Sequence, residues 1–105
     1  MPRSPRDLAT FEASALEVAQ VLRALANERR LMILCKLVEW GEATVGSLAE
    51  AVGLSQSALS QHLARMREEG IVAFRRDAQT LWYRIEDARV ETLLGHLQRL
   101  YCSTK

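Results

Sequence analysis

The sequence lacks any apolar run of the roughly 18 to 20 residues that crossing a lipid bilayer requires. Its first ten residues, MPRSPRDLAT, also lack the apolar segment of a secretory signal peptide. We therefore expect a soluble, cytoplasmic protein. Cysteine is scarce, with two residues in all, and a reducing cytoplasm disfavours a permanent structural disulfide between them. They are expected to be inert thiols, metal ligands or redox groups.

Sequence patterns typical of catalysis are missing too. There is no glycine-rich phosphate loop, and no spacing of residues indicates an acid–base pair or an activated nucleophile. We also find no repeat, no interdomain linker and no low-complexity tract. The chain is therefore predicted to be a single domain that is not an enzyme.

The 105 residues are enough for one domain, and 49% of them are apolar, so the chain can bury a hydrophobic core. The net charge of +1 does not by itself indicate a nucleic-acid partner. The twelve arginines against two lysines are more informative, because a guanidinium group pairs in a bidentate manner with phosphates and guanine edges. A GC-rich genome produces the same arginine excess, so that alternative stays open.

Helical periodicity starts at Phe11 and continues to Ala26. Residues 1–10 contain both prolines and mixed charge, and we predict that they form a flexible N-terminal arm, with one folded domain over residues 11–105. Asn27 is a good N-cap for a second helix, RRLMILCKLVEW. This helix is apolar on most sides and should be central and buried.

Two further helices follow at close spacing. Thr44 is placed to cap the short segment TVGSLAEAV, and Gly53 can adopt the left-handed conformation that ends a helix. Ser55 starts the next helix at once, and Gly70 ends it. Two helices joined by a turn of about three or four residues that contains glycine form a helix-turn-helix.

After Gly70 the period changes. The segments IVAFRR and LWYRI, separated by the turn DAQT, predict a β-hairpin, and a last helix follows from Glu86 or Asp87 almost to the C-terminus. The predicted fold is mainly α with a β-hairpin wing (α+β), a winged helix-turn-helix in the order α-α-α-α-β-β-α.

The fourth helix, LSQSALSQHLARMREEG, has one apolar face, with Leu59, Leu63 and Met66, and one face of short hydrogen-bonding groups. A helix that enters the DNA major groove needs both, because it docks on its own domain and presents donors and acceptors to base edges. The wing adds arginines and a glutamine that can reach the DNA backbone or minor groove. The predicted DNA-binding residues are Ser55, Gln56, Ser57, Ser60, Gln61, His62, Arg65, Arg75, Arg76 and Gln79. A solvated surface helix with an incidental hairpin is the alternative.

One domain of this size makes too few contacts to select one operator in a genome, and two copies related by a two-fold axis double the readout. The long first and last helices have more apolar positions than one small core can absorb. We therefore predict a homodimer that forms through these two helices.

The segments LRALANERRLMILCKL, LAEAVGLSQSALSQHLARMREEGIV and RRDAQTLWYRI resemble the ArsR/SmtB family of dimeric bacterial winged-helix repressors. The resemblance covers about Leu16 to Cys102. It implies a repressor that binds operator DNA and is released by a ligand. The thiol-rich and histidine-rich metal sites of other members are absent: Thr44 and Gly46 stand where thiols would be, and the last helix offers only Asp87 and His96. We therefore predict no metal site and no cofactor.

Cys35 in the second helix and Cys102 just after the last helix are similar to the cysteine pair of the dithiol subgroup, which senses persulfides and oxidants. The resemblance implies a protein that binds operator DNA when reduced. It implies release when reactive sulfur species or oxidants bridge the two cysteines, and control of sulfide-detoxification or oxidant-response genes. The residues alone favour a structural role for Cys35 as a small buried hydrophobe. Nearby Lys36 and Arg99 are candidates to stabilise thiolates.

Three rivals remain. The first is a metal- or haem-responsive regulator of the same fold, with Cys35, Cys102, His62 or His96 as ligands. The second is a regulator that binds DNA without sensing and has structural cysteines. The third is a protein-interaction domain that has lost DNA binding, whose expected acidic substitutions on the polar helix face are not seen.

Overall fold

The computed structural model describes residues 5–101, with side chains from residue 9 onward. The elements, in chain order, are α1 (Pro5–Leu25), α2 (Glu28–Trp40), β1 (Ala43–Thr44), α3 (Val45–Val52), α4 (Gln56–Glu68), β2 (Val72–Asp77), β3 (Thr80–Ile85) and α5 (Ala88–Tyr101). The predicted order of five helices around a β-hairpin is therefore confirmed. None of the described helices is both long and apolar enough to cross a membrane.

Local capping sets the helix boundaries where the sequence indicates them. The backbone N–H of Arg30 donates to the side chain of Asn27 at 3.0 Å, and that of Ser47 donates to Thr44 Oγ1 at 3.1 Å. These bonds satisfy N–H groups that have no partner within the first turn of a helix. Gly53 ends α3 in the left-handed conformation, with φ 74° and ψ 34°. The turn between α3 and α4 is thus as short as predicted.

Two features differ from the prediction. The first helix begins at Pro5, so residues 5–10, predicted to belong to a flexible arm, are helical; residues 1–4 lie outside the described part. Proline is well tolerated in the first turn of a helix, where its missing N–H would have no partner. The second difference is β1, two residues that pair with β3 through Ala43 opposite Tyr83 and Thr44 opposite Trp82. The sheet therefore has three antiparallel strands in the order β1-β3-β2.

The core lies where α2, α3, α4, α5 and the sheet meet. Its completely buried side chains come from every one of these elements: Ile33, Leu34, Leu48, Leu59, Leu63, Met66 and Leu94, with Leu37, Ile71, Val72 and Val90 almost as fully buried. The prediction that α2 is central is confirmed on one side only, since Met32 and Trp40 remain 40% and 43% exposed. Among the side chains of α1 that the structure describes, from residue 9 onward, only those of Ala24 and Leu25 are buried. Most of α1 therefore projects away from the core.

Because one face of α4 is buried and the other is exposed, substitutions on the two faces should differ strongly in their effect on the free energy of unfolding. Replacing Leu63 by Ala leaves a cavity in a close-packed core and should lower the free energy of unfolding by about 2–5 kcal/mol. Gln61→Ala on the exposed face of the same helix is the matched control and should change it by at most about 0.5 kcal/mol. Urea denaturation at one fixed protein concentration measures both. Equal losses in the two variants would contradict the buried placement of Leu63.

Candidate nucleic-acid interface and cysteine site

The helix-turn-helix places a polar helix face at the surface. Leu59, Leu63 and Met66 of α4 have no exposed surface, which fixes the rotation of the helix about its axis. The side chains on the opposite side are all exposed, and they are six of the predicted contacts: Ser55, Gln56, Ser57, Ser60, Gln61 and Arg65. No acidic residue occurs among them, so they form a neutral-to-positive face rich in donors and acceptors. We call this set the reading face.

Ser55 has a structural task as well as an exposed position. Its Oγ accepts a hydrogen bond from the backbone N–H of Ala58 at 3.1 Å, so it is the N-cap of α4. The same oxygen lies 3.4 Å from the hydroxyl oxygen of Ser57. The two serines therefore form a hydrogen-bonded pair at the positive end of the helix, a position that favours the approach of an anion such as a phosphate.

His62 stands apart from the other predicted contacts on α4. Its side chain is half-buried, whereas those of the reading face are exposed. Burial lowers the pKa of this imidazole, and the positive charges of Arg30 and Arg29 on α2 lower it further. The neutral form of the ring is therefore favoured more than in a free imidazole.

The wing carries two arginines with different surroundings. Arg76 is exposed beside the turn at Ala78 and Gln79, and no carboxylate of the described residues lies within 4 Å of it. Arg75 instead forms two hydrogen bonds with Glu42, Nε to Oε2 at 2.9 Å and Nη2 to Oε1 at 3.0 Å. Its guanidinium also lies over the ring of Trp82, 5.6 Å from the centroid. The guanidinium of Arg75 is thus held by Glu42 and Trp82, whereas that of Arg76 is exposed and can contact a phosphate.

Glu42, which pairs with Arg75 of the wing, was not among the site residues predicted from the sequence. Because Arg75 is opposite Trp82 and Thr44 is also opposite Trp82, the three-stranded sheet brings the start of β1 next to the wing. The bidentate pair lowers the pKa of Glu42, chiefly through the hydrogen bonds from Arg75, and so keeps this carboxylate charged. An acidic group next to the wing opposes the approach of a phosphate backbone.

Cys35 lies half-buried on α2, where α5 passes beside it. The side-chain amide of Gln98 donates to the carbonyl oxygen of Cys35 at 3.5 Å, so the end of α5 is next to this part of α2. The second and last helices are therefore neighbours in the fold. Cys102, the other predicted sensing residue, lies outside the described residues, directly after the last residue of α5.

The two cations near the cysteines have other partners. Lys36 Nζ lies 3.4 Å from Glu39 Oε1 and 5.5 Å from the centre of the Trp40 ring. Arg99 Nη2 lies 2.7 Å from Nδ1 of His96. Lys36 and Arg99 therefore contact residues of their own helices. These contacts give no support to the idea that the two cations stabilise a thiolate. Within residues 5–101 no group of three or more His, Cys, Asp or Glu side chains is arranged to hold a metal ion.

Large apolar side chains are exposed on the first and last helices. On α1, Phe11, Leu16 and Leu22 are 57%, 70% and 51% exposed; on α5, Leu100 and Tyr101 are 71% and 82% exposed. Single exposed apolar residues are ordinary, but a set on two helices is typical of an interaction surface. We call these five residues the apolar surface of α1 and α5.

Residues 27–73, from the cap of α2 into β2, match the family model described as bacterial regulatory protein, arsR family. The transcriptional activator HlyU of Vibrio cholerae is 44% identical over 99 residues, which cover 94% of this chain and 91% of that protein. The structure of reduced HlyU from the same organism is 45% identical, with a TM-score of 0.82, and covers 89% of this chain and 97% of that chain.

Two further solved structures extend the likeness. The transcriptional repressor BigR from Xylella fastidiosa is 39% identical, with a TM-score of 0.82 over 95% of this chain and 98% of that chain. The homodimeric winged helix-turn-helix DNA-binding domain Mb0332 from Mycobacterium bovis is 35% identical, with a TM-score of 0.72 over 93% of this chain and 86% of that one. The arrangement of helices, turn and wing is thus shared along nearly the whole chain.

The pair of Glu42 and Arg75 generates a prediction about DNA affinity. Glu42→Gln removes a negative charge beside the wing and releases Arg75 toward phosphate. Affinity for nonspecific duplex DNA at low salt should rise, and the slope of log K against log salt should become steeper by about 0.9, the value for one added phosphate contact. Fluorescence anisotropy over a salt series measures both quantities.

Glu39→Gln is the charge-matched control, since it breaks the exposed pair with Lys36 on α2 and changes the net charge by the same amount. The slope should not change in this variant. Weaker DNA binding in Glu42→Gln alone would show instead that the ion pair holds Arg75 in place for DNA.

Proposed function

This chain belongs to the ArsR family of bacterial regulatory proteins, and we propose that it is a homodimeric repressor that releases operator DNA when Cys35 and Cys102 are joined. As a member of this family it is a transcriptional regulator and not an enzyme. The observation that carries the proposal is the reading face of α4, which is exposed, free of acids and set on a buried apolar base. Of the relatives named above, the repressor BigR agrees with this direction of control, whereas HlyU is named an activator.

In this proposal the reading face enters the major groove. Glutamine pairs in a bidentate manner with adenine and arginine with guanine, so Gln61 and Arg65 are the residues assigned to base edges. Serine hydroxyls and the start of α4 are assigned to phosphates, which position the helix without reading sequence. Arg76 and Gln79 of the wing are assigned to the backbone or the adjacent minor groove.

The apolar surface of α1 and α5 is assigned to the dimer contact. Two identical surfaces that face each other across a two-fold axis bury the same residues twice, and they set the two copies of α4 at a fixed separation. Two half-sites about one helical turn apart then match the two reading faces. The homodimeric relative from Mycobacterium bovis supports this assembly.

The proposed sensor joins α2 and α5. Cys102 directly follows Tyr101 in sequence and comes four residues after Gln98, whose amide contacts the backbone of Cys35. This position supports a pairing of the two thiols, which needs Cα atoms within roughly 7 Å. The structure of a relative in a form named as reduced supports redox chemistry in this group of proteins. Such a regulator suits genes of sulfide detoxification or of the response to oxidants.

A persulfide donor can act as the oxidant that forms the disulfide between Cys35 and Cys102. One thiolate takes a sulfane sulfur from the donor, which leaves as a thiol, and becomes a persulfide. The thiolate of the second cysteine attacks the inner sulfur, a disulfide forms, and hydrogen sulfide leaves. The two thiols are oxidised by two electrons, and the sulfane sulfur is reduced to sulfide.

The free energy that such a switch needs is modest. A hundredfold loss of operator affinity requires a coupling of about 2.7 kcal/mol. The disulfide supplies it when its geometry is less strained, by at least that amount, in the weakly binding arrangement of the dimer than in the strongly binding one.

The reading face is tested by its effect on base selection. Gln61→Ala and Arg65→Ala should each weaken binding to an operator selected from random duplexes by about 10- to 100-fold, because each removes one bidentate base contact. Their affinity for nonspecific DNA should fall much less, which makes the ratio of the two affinities an internal control. Equal losses on operator and nonspecific DNA would mean that both side chains contact only phosphates.

The sensor is tested with Cys35→Ser and Cys102→Ser. Both variants should bind operator DNA as the reduced protein does, because serine preserves the side-chain size. A persulfide donor should release the wild type from operator DNA and leave both variants bound, as followed by anisotropy. Mass spectrometry should detect a bridge between the two cysteines, with or without added sulfur, in the wild type alone.

Release of both serine variants by the same donor would remove the dithiol mechanism. It would favour a regulator whose cysteines are structural, and the DNA-binding proposal would stand. Stoichiometric metal retained through purification would instead favour the metal-responsive alternative.

A further inference from the structure

A cleft that meets the reading face only at Arg65 lies between four segments of the fold. It has a volume of about 690 Å³ and is bounded by the C-terminal half of α1, the start of α2, the end of α4 and the start of α5. Arginines reach it from all four: Arg23, Arg30, Arg65 and Arg89. The volume is in the range of small-molecule sites in proteins. Neither the reading face nor the cysteine pair makes use of this cleft as a whole.

The charges around the cleft do not cancel. Arg89 is neutralised by two carboxylates, Asp87 Oδ2 and Glu17 Oε2, each 3.1 Å from Nη2. The other three arginines have no carboxylate within 4 Å among the described residues, and one further acid, Glu69, also lines the cleft. The four arginines thus exceed the three carboxylates Glu17, Glu69 and Asp87 by one charge, so the cleft is weakly positive and favours an anion over a cation.

Arg30 supplies a second and independent observation. Its Nη1 donates to the carbonyl oxygen of Ala24 at 3.2 Å, which anchors the guanidinium at the junction of α1 and α2. Its Nε is buried and finds no acceptor in the described part of the chain. A buried donor without an acceptor is costly, and an arginine fork presents its N–H groups in the spacing that an oxyanion accepts. Because this Nε has almost no accessible surface, an oxyanion in the cleft would pair with the terminal Nη groups of Arg30, which the bond to Ala24 holds in place.

We propose that this cleft binds a phosphate group through Arg23 and Arg30, supplied either by a small phosphorylated compound, which also pairs with Arg65, or by the DNA backbone, in which case Arg65 keeps its base contact. Arg65 also belongs to the reading face, so a phosphate held in the cleft is bound next to the surface that meets DNA. A free compound and the operator then compete for the same arginine. Binding of a free phosphorylated compound does not depend on the proposed function, whereas binding of a DNA backbone phosphate rests on it.

The free source is tested without DNA. Full-length protein is titrated with inorganic pyrophosphate in a calorimeter, with sodium chloride adjusted to keep the ionic strength constant. Arg23→Gln and Arg30→Gln should each weaken binding by about tenfold or more, the effect of losing one charge-assisted hydrogen bond. Arg29→Gln is the matched control, because Arg29 is adjacent in sequence but points to the carbonyl oxygen of Val52 and does not line the cleft.

The DNA source is tested by the salt dependence of operator binding. Losing one phosphate contact should make the slope of log K against log salt shallower by about 0.9 in Arg23→Gln and leave it unchanged in Arg29→Gln. Arg23 is the variant to rely on if Arg30→Gln fails to fold, because no hydrogen bond of the Arg23 side chain is found among the described residues.

The outcomes separate cleanly. Pyrophosphate binding that is lost in the cleft variants identifies a free phosphorylated ligand, and a change of slope without pyrophosphate binding identifies the DNA backbone. Pyrophosphate binding that Arg23→Gln and Arg30→Gln leave unchanged overturns the proposal, as does the absence of both effects. Because the pyrophosphate titration contains no DNA, its result does not depend on whether the protein is a repressor.

Discussion

The apolar edge of α4 is completely removed from water, and the orientation of every exposed side chain on that helix follows from this burial. Three side chains at helical spacing, Leu59, Leu63 and Met66, fix the rotation of the helix about its axis. The polar groups on the other side are therefore presented as a set with a defined geometry. A helix that was free to roll on its base would offer the same residues without a fixed register to the bases of DNA.

α2 connects this base to the cysteine site. Its buried side chains Ile33, Leu34 and Leu37 belong to the same core that seats α4, and its flank carries Cys35 beside α5. Protein cores are close-packed, so a shift of α5 against α2 is not absorbed locally but is passed to neighbouring elements. The proposed switch needs no long-range signal beyond this, because α5 also carries part of the apolar surface assigned to the dimer.

Features with local causes were predictable from the sequence, and features with distant partners were not. Asn27 and Ser55 cap helices that start at the next residue, and the apolar spacing of α4 lies within one segment. The contact between Glu42 and Arg75 joins residues 33 positions apart and depends on strand register. The two-residue β1 is too short to show a period. The arginines of the cleft meet only because four separate segments converge.

The distribution of charge also limits how strongly this protein can attract DNA without regard to sequence. The net charge is only +1, Arg75 is paired with Glu42, and Arg84 is paired with Glu86 at 3.1 Å. Nonspecific binding depends almost entirely on cations that meet phosphates. When these are few or already paired, the share of affinity that comes from base contacts rises, and so does the ratio of operator to genomic binding. If the neutral hydrogen-bonding groups of α4 contact the bases as proposed, a low net charge and paired cations on the sheet favour discrimination between sites over attraction to DNA in general.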